Sequence, residues 1–274
     1  MLHLASLCAG GIILFGYILF SYVLQLAYYH FSRSNLTDWK SQPRVQYNED
    51  SLIPWLPILG RRINRAPEHT LFATCNLLLA TAFAIVSTEL LCRLKGKMYF
   101  NTDKIRADVV VSEVGAACLI ELILEYVFHR LMHIEFFYKT FHKHHHFYKA
   151  PIPFDDMMIH PVEAFLYYCI LYSPPFLTPI SPLSHCLYMV IMGTAGILDH
   201  CGIRISLPFV YDSVFHDEHH RLFNVNYGFP FSTLDIVMGT YYETKRSTAS
   251  QKSVVTVKDS IIQRSTRRRT SVVR

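Results

Sequence analysis

Residues 129–146 read HRLMHIEFFYKTFHKHHH, and this stretch decides how the rest of the chain is read. It opens with His129 and His133, four residues apart. It closes with His142, His145 and His146, which spell HxxHH. The same spelling returns as His216, His219 and His220 in HDEHH, and between the two lie His160 in IHPVEA and His200 in LDHCG. Ten of the fifteen histidines thus fall in five short groups in the C-terminal half.

Metal chemistry accounts for the spacing. Residues four apart on a helix share a face, so His129 and His133 can point two imidazoles at one centre. In HxxHH the first two histidines are three apart and the third is a neighbour, so one helical turn can offer ligands to two nearby metals. Neutral imidazole binds iron, zinc, copper and nickel, so the ligand type leaves the metal open. A lone histidine is usually a satisfied core or surface residue. Burying five groups of them without a purpose is costly.

The composition sets the environment. Of 274 residues 51% are hydrophobic and only 17% charged, and the mean hydropathy is +0.21. Those values argue for the membrane. The net charge is +5, with basic residues in loops and at the tail. No aromatic-interleaved basic patch is present, which excludes nucleic acid as the expected partner. The seven cysteines are scattered through apolar runs without a CxxC, so they read as buried small residues, neither a disulfide framework nor a thiolate site.

Apolar runs cover about 4–27, 71–91 and 109–128, and two more, 162–180 and 183–198, are short or interrupted by Pro174, Pro175 and Pro179. The first lacks a charged leading segment and a cleavage site and reads as a retained anchor. The last two read as a hairpin that dips into the membrane and returns. His160 would enter that hairpin and His200 leave it, on the side where the HxxxH helix emerges. Glu125, His129 and His133 follow one another at steps of four. Glu125 can orient His129 or can be a carboxylate near the membrane surface; the spacing leaves both open. The expected fold is all-α: an integral membrane helical bundle of about four to five spans, with a cytosolic histidine-rich helical cap. The expected domains are an anchor and loop at 1–69, a catalytic domain at 70–242 and a basic, disordered tail at 243–274. Loop 28–70 carries six Lys/Arg and loop 93–108 five. Span parity puts the first loop and the basic tail on one side, which directs the histidine face to the cytosol.

The run H129RLMH, H142KHHH, H160PVE, D199HCG and H216DEHH, with the ending N226YGFPFSTLDIVMGT240, resembles the sterol desaturase and fatty acid hydroxylase superfamily over about residues 70–242. HPVE and DHCG lean towards its sterol branch, which holds C4-methylsterol oxidases and cholesterol 25-hydroxylases. The resemblance implies an endoplasmic-reticulum enzyme with a histidine-ligated di-iron centre. Its ligands would be His129, His133, His142, His145, His146, His216, His219 and His220, with His160 and His200 added. His144 is an extra imidazole that the pattern leaves unused. The resemblance further implies O2 as oxidant and a sterol substrate taken from the bilayer. No cytochrome b5-like domain is visible, so NADPH-derived electrons would arrive through separate partners, cytochrome b5 and a reductase. A fatty-acyl or sphingoid lipid hydroxylase or desaturase shares the same centre. A metal transporter would place ligands within spans or in low-complexity loops. A zinc hydrolase of the HExxH kind needs a glutamate that HRLMH lacks.

Overall fold

The computed structural model describes residues 2–32, 36–42, 68–94, 96–99, 106–207 and 211–243. The interfacial piece expected around 53–57, most of the first loop and the tail beyond 243 lie outside these residues. Among those described, every regular element is a helix apart from one two-stranded ribbon.

Helix α1 (Leu4–Leu24) continues into a π-helical turn, Gln25–Phe31. A short α2 (Leu36–Trp39) precedes α3 (His69–Leu94). The segments 4–31 and 69–94 are long and apolar enough to cross a membrane. Their polarity is inverted relative to a soluble protein. Ser6, Gly10, Ser21, Asn76, Ala80 and Ala84 are buried, while Leu4, Ile12, Phe15, Leu19, Leu71 and Leu78 are exposed. Small residues inside let helix backbones approach closely, and large apolar residues outside suit lipid. At Gly10 a Cβ would meet the Ile85 side chain of α3 at 2.6 Å, so a larger residue here would force Ile85 to move. The start of α1 is held by Glu89 of α3, whose carboxylate accepts the His3 backbone N–H at 2.9 Å and the Ser6 hydroxyl at 2.8 Å.

Helix α4 (Ala107–Met132) is as long as α3 but carries Glu113, Glu121 and Glu125, all buried. It packs on α8 (Pro182–Asp199). Glu113 of α4 accepts the Ser181 N–H at 3.0 Å and the Tyr99 hydroxyl. A tight turn at His133 leads into α5 (Glu135–Thr140) and then a 3₁₀-helix, His142–Phe147.

The apolar run 162–180 is broken at its prolines, as expected: one helix ends at Leu171 and a separate short helix starts at Pro174, and prolines open the neighbouring helices too. Pro161 begins α6 (Pro161–Leu171), Pro174 begins α7 (Pro174–Leu177) and Pro182 begins α8. Proline suits a first helical position because that N–H has no partner within the helix and its φ is already set. Ser181 completes the start of α8 by accepting the Ser184 N–H at 3.2 Å. Strands β1 (Ser206–Leu207) and β2 (Tyr211–Asp212) then pair antiparallel, and Asp212 caps α9 (Ser213–Leu222) through Val214 N–H at 3.0 Å. The last helix, α10 (Thr233–Met238), packs on α4 and stops at Gly239, where φ is +70°.

Candidate metal centre

Nine histidines meet in two adjoining groups. His129, His133, His142, His146 and His219 form one, and His145, His200, His216 and His220 the other; within each group the candidate ligand atoms lie within 4.8 Å of one another. Each HxxHH is divided between them. The first group takes His129/His133 and His142/His146, both pairs four apart, and the middle histidine of the second motif. The second group takes His216/His220, also four apart, the middle histidine of the first motif, and His200 at the end of α8.

Buried acceptors set the tautomers of five of the nine rings. His129 Nδ1–H donates to the Tyr227 carbonyl at 2.7 Å and His219 Nδ1–H to the Val225 carbonyl at 2.7 Å. His200 and His220 donate to the carbonyls of Gly196 at 2.9 Å and Tyr148 at 3.2 Å. His142 donates to Glu163 Oε1 at 2.5 Å. With the proton on Nδ1, the Nε2 lone pair is free to bind an ion. Burial, and behind it the neighbouring imidazoles, hold His145, His146, His216, His219 and His220 well below the usual histidine range. These rings are neutral at pH 7, the state a ligand requires.

The Nε2 atoms converge at the spacing of a coordination shell. His133, His142 and His146 are mutually 3.1, 3.2 and 3.1 Å apart. His219 to His146 is 3.2 Å, His216 to His200 3.0 Å and His200 to His145 3.3 Å. Nitrogens about 2.1 Å from a shared ion sit about 3.0 Å apart at right angles. Facing imidazole lone pairs inside a protein repel unless a proton or a cation lies between them. The Nε2 atoms of His129 and His220 are buried with no hydrogen-bond partner. The residues present fit a metal ion in each group.

His160 and His144 stand outside both groups. His160 Nδ1 accepts the Val162 N–H at 3.2 Å and so caps α6. Its ring lies against Phe141, Phe72 and His144. The sequence pairs Glu125 with His129, but Glu125 Oε1 is 3.5 Å from His129 Nδ1, farther than the Tyr227 carbonyl. Glu163 and Asp235 support the histidines at positions that spacing alone does not reveal. Glu163 sits in the HPVE motif, three residues past His160, and reaches His142 of a different element. Asp235 accepts Tyr227 N–H at 2.8 Å, Gly228 N–H at 2.6 Å and the Thr240 hydroxyl at 2.6 Å. It thereby fixes the segment whose Tyr227 carbonyl holds His129.

Glu163→Ala is expected to weaken metal binding roughly 10–100-fold, the usual cost of losing a carboxylate behind a ligating histidine. Glu163→Gln keeps an acceptor and should lose less. Chelator titration of the metal-loaded protein checks both; unchanged retention in Glu163→Ala would remove Glu163 from the site.

A cavity of about 550 Å³ opens onto the histidines between α1, α3, α6 and α8. His129, His142, His145, His200 and His216 line one end. Apolar side chains such as Ile12, Ile13, Met189 and Met192 line its length, and Thr88, Cys92 and His185 lie at the other end. The volume is that of a small-lipid site.

These features define a helical protein with lipid-facing surfaces, a nine-histidine centre and an apolar chamber leading to it. Residues 114–240 match the family model described as fatty acid hydroxylase, a span that contains every histidine of both groups. The chain therefore carries a fatty acid hydroxylase domain of the sterol desaturase kind. It is 34% identical to lathosterol oxidase of Rattus norvegicus, over 43% of this chain and 41% of that protein. It is 33% identical to fatty acid hydroxylase domain-containing protein 2 of Homo sapiens, over 52% and 42%. It is 34% identical to Delta(7)-sterol 5(6)-desaturase of Leptosphaeria maculans, over 42% and 33%. The chain spans less than half the length of the curated relatives it matches. No solved structure matches it.

Proposed function

We propose that this chain is a membrane-bound di-iron monooxygenase that hydroxylates or oxidises a sterol at an unactivated C–H bond, using O2 and NADPH-derived electrons. The observation that carries the reading is the convergence of nine imidazoles in two groups at the end of an apolar cavity. Imidazole also suits other metals; the relatives' names, sterol oxidase and sterol desaturase, favour redox chemistry over hydrolysis. When bound, two irons would supply reductive activation of dioxygen and oxidation of the C–H bond. The nine histidines would hold them. Tyr227, Val225, Gly196, Tyr148 and Glu163 fix the rings, so the centre is organised before substrate arrives. The cavity wall would orient the lipid and exclude bulk water. Cytochrome b5 and a reductase are the proposed electron donors.

The proposed location is the endoplasmic-reticulum membrane, with the histidine face towards the cytosol. The first loop leaves and returns beside that face: Gln42 reaches Asp217 at 2.9 Å, and His69 reaches the Tyr148 hydroxyl at 2.8 Å. Its Lys/Arg excess fits the cytosolic side.

Mass spectrometry of membranes supplied with NADPH, O2 and a panel of sterols and fatty-acyl lipids tests the reading. A new oxysterol or sterol acid supports it. Oxidised acyl chains would assign a fatty-acyl or sphingoid lipid hydroxylase instead. No product from an iron-loaded protein with a competent reductase would leave a non-catalytic metal-binding protein. A chain ended after residue 244 should keep most of its activity, because both histidine groups and the cavity lie before that point.

A further inference from the structure

At the end away from the histidine centre, the cavity wall carries one buried polar atom with no hydrogen-bond partner. His185 Nδ1 is buried without a hydrogen-bond partner and its residue lines the wall. The ring stacks on Tyr188 at 6.2 Å, which fixes its plane against the core. Leaving a buried imidazole nitrogen unpaired is costly, and the wall around it is largely apolar. The site suits a ligand with a single hydroxyl.

The helices set how far this atom lies from the histidine centre. His185 is in the first turn of α8 and His200 caps its end. Fifteen residues at 1.5 Å each separate the two by about 22 Å along the helix. The neighbouring elements agree on the direction. The cavity runs along α1 from Ala5 to Phe20 and along α3 from Cys92 back to Ala80. Ser6 of α1 meets Glu89 of α3, and Met98 bridges Ile180 beside the start of α8. One end therefore holds His185, Thr88 and Cys92, and the other the metal centre.

Resting on the proposed lipid oxygenase, we propose that His185 is a specificity-determining residue that binds the hydroxyl of an elongated lipid alcohol. The molecule lies along α8 with its hydroxyl on His185 and its far end at the histidines. For a sterol, this presents the side-chain terminus for oxidation, not the rings beside the hydroxyl.

Native mass spectrometry of the detergent-solubilised, iron-loaded full chain tests this with cholesterol, cholesterol methyl ether, 1-octadecanol and octadecyl methyl ether. The wild type should bind an alcohol roughly five- to tenfold tighter than its ether, the worth of one buried hydrogen bond. His185→Phe should bind both alike, and His185→Gln should retain the preference. The sterol and fatty arms show which alcohol the cavity prefers. Equal binding of alcohol and ether by the wild type, a preference surviving in His185→Phe, or no binding of any alcohol would overturn the proposal. Iron content, read separately, keeps the two questions apart. Bound iron without alcohol preference leaves the oxygenase reading standing and removes this one. Alcohol preference in a chain that holds no iron does the reverse.

Discussion

A His145→Ala chain is expected to lose at least about 100-fold in product formation, because the effect of removing a ligand should exceed that of removing its supporting partner. His145 is the one member of its group supplied by the 3₁₀-helix that otherwise builds the first group. Its Nε2 is 3.3 Å from that of His200, and its ring centroid is 4.6 Å from that of His220. Without it, three imidazoles remain in that group, and the tie between the two groups through the 142–147 segment is lost. The companion variants give the comparison its force. His144→Ala and His160→Ala lie outside both groups and should retain activity within about twofold, as surface or partly buried changes away from ligands do. Product yield, iron content and thermal unfolding would be measured on all three. Wild-type activity in His145→Ala would sink the di-iron assignment, and a large loss of iron in His160→Ala would return that residue to the ligand set.

Asp235→Ala is the second large effect, and it reports on folding. Asp235 is fully buried and its carboxylate satisfies two backbone N–H groups and one hydroxyl. Each donor left unsatisfied inside costs about 1–3 kcal/mol, so a loss of about 3 kcal/mol or more is expected. For a chain of this size that lowers the unfolding midpoint by roughly 6–12 °C. The fit at this point is close: a Cβ on Gly228 would meet Asp235 Oδ2 at 2.6 Å, so the carboxylate and the glycine N–H depend on each other. Asp235→Asn keeps one acceptor oxygen and should fall between. Calorimetry, with iron content measured below the transition, separates loss of fold from loss of the His129 anchor. An unchanged midpoint in Asp235→Ala would remove this support.

Much of the molecule is legible in the chain itself. Uninterrupted apolar runs require helices wherever no water reaches the backbone, and α1, α3, α4 and α8 lie where those runs lie. The spacing of four in His129/His133, His142/His146 and His216/His220 is a local property, and each pair does join one group. The prolines were legible as boundaries but not as helix starts, since a proline can end one helix or open the next.

Local spacing could not say which group the unpaired histidines join. His145 and His219 cross between motifs, and His200 comes from the end of α8. Their placement follows from packing between elements distant in the chain. Nor could side-chain pattern show that His129 is held by the Tyr227 carbonyl and not by Glu125. Every residue has a carbonyl, so an acceptor of that kind leaves no mark in the sequence. The same holds for His160, which matches the motif set yet caps α6. Composition and periodicity determined the helices, the lipid-facing surfaces and the supply of imidazoles. Tertiary structure alone decided their division into five and four, because ligand convergence depends on distances between helices, which no single helix encodes.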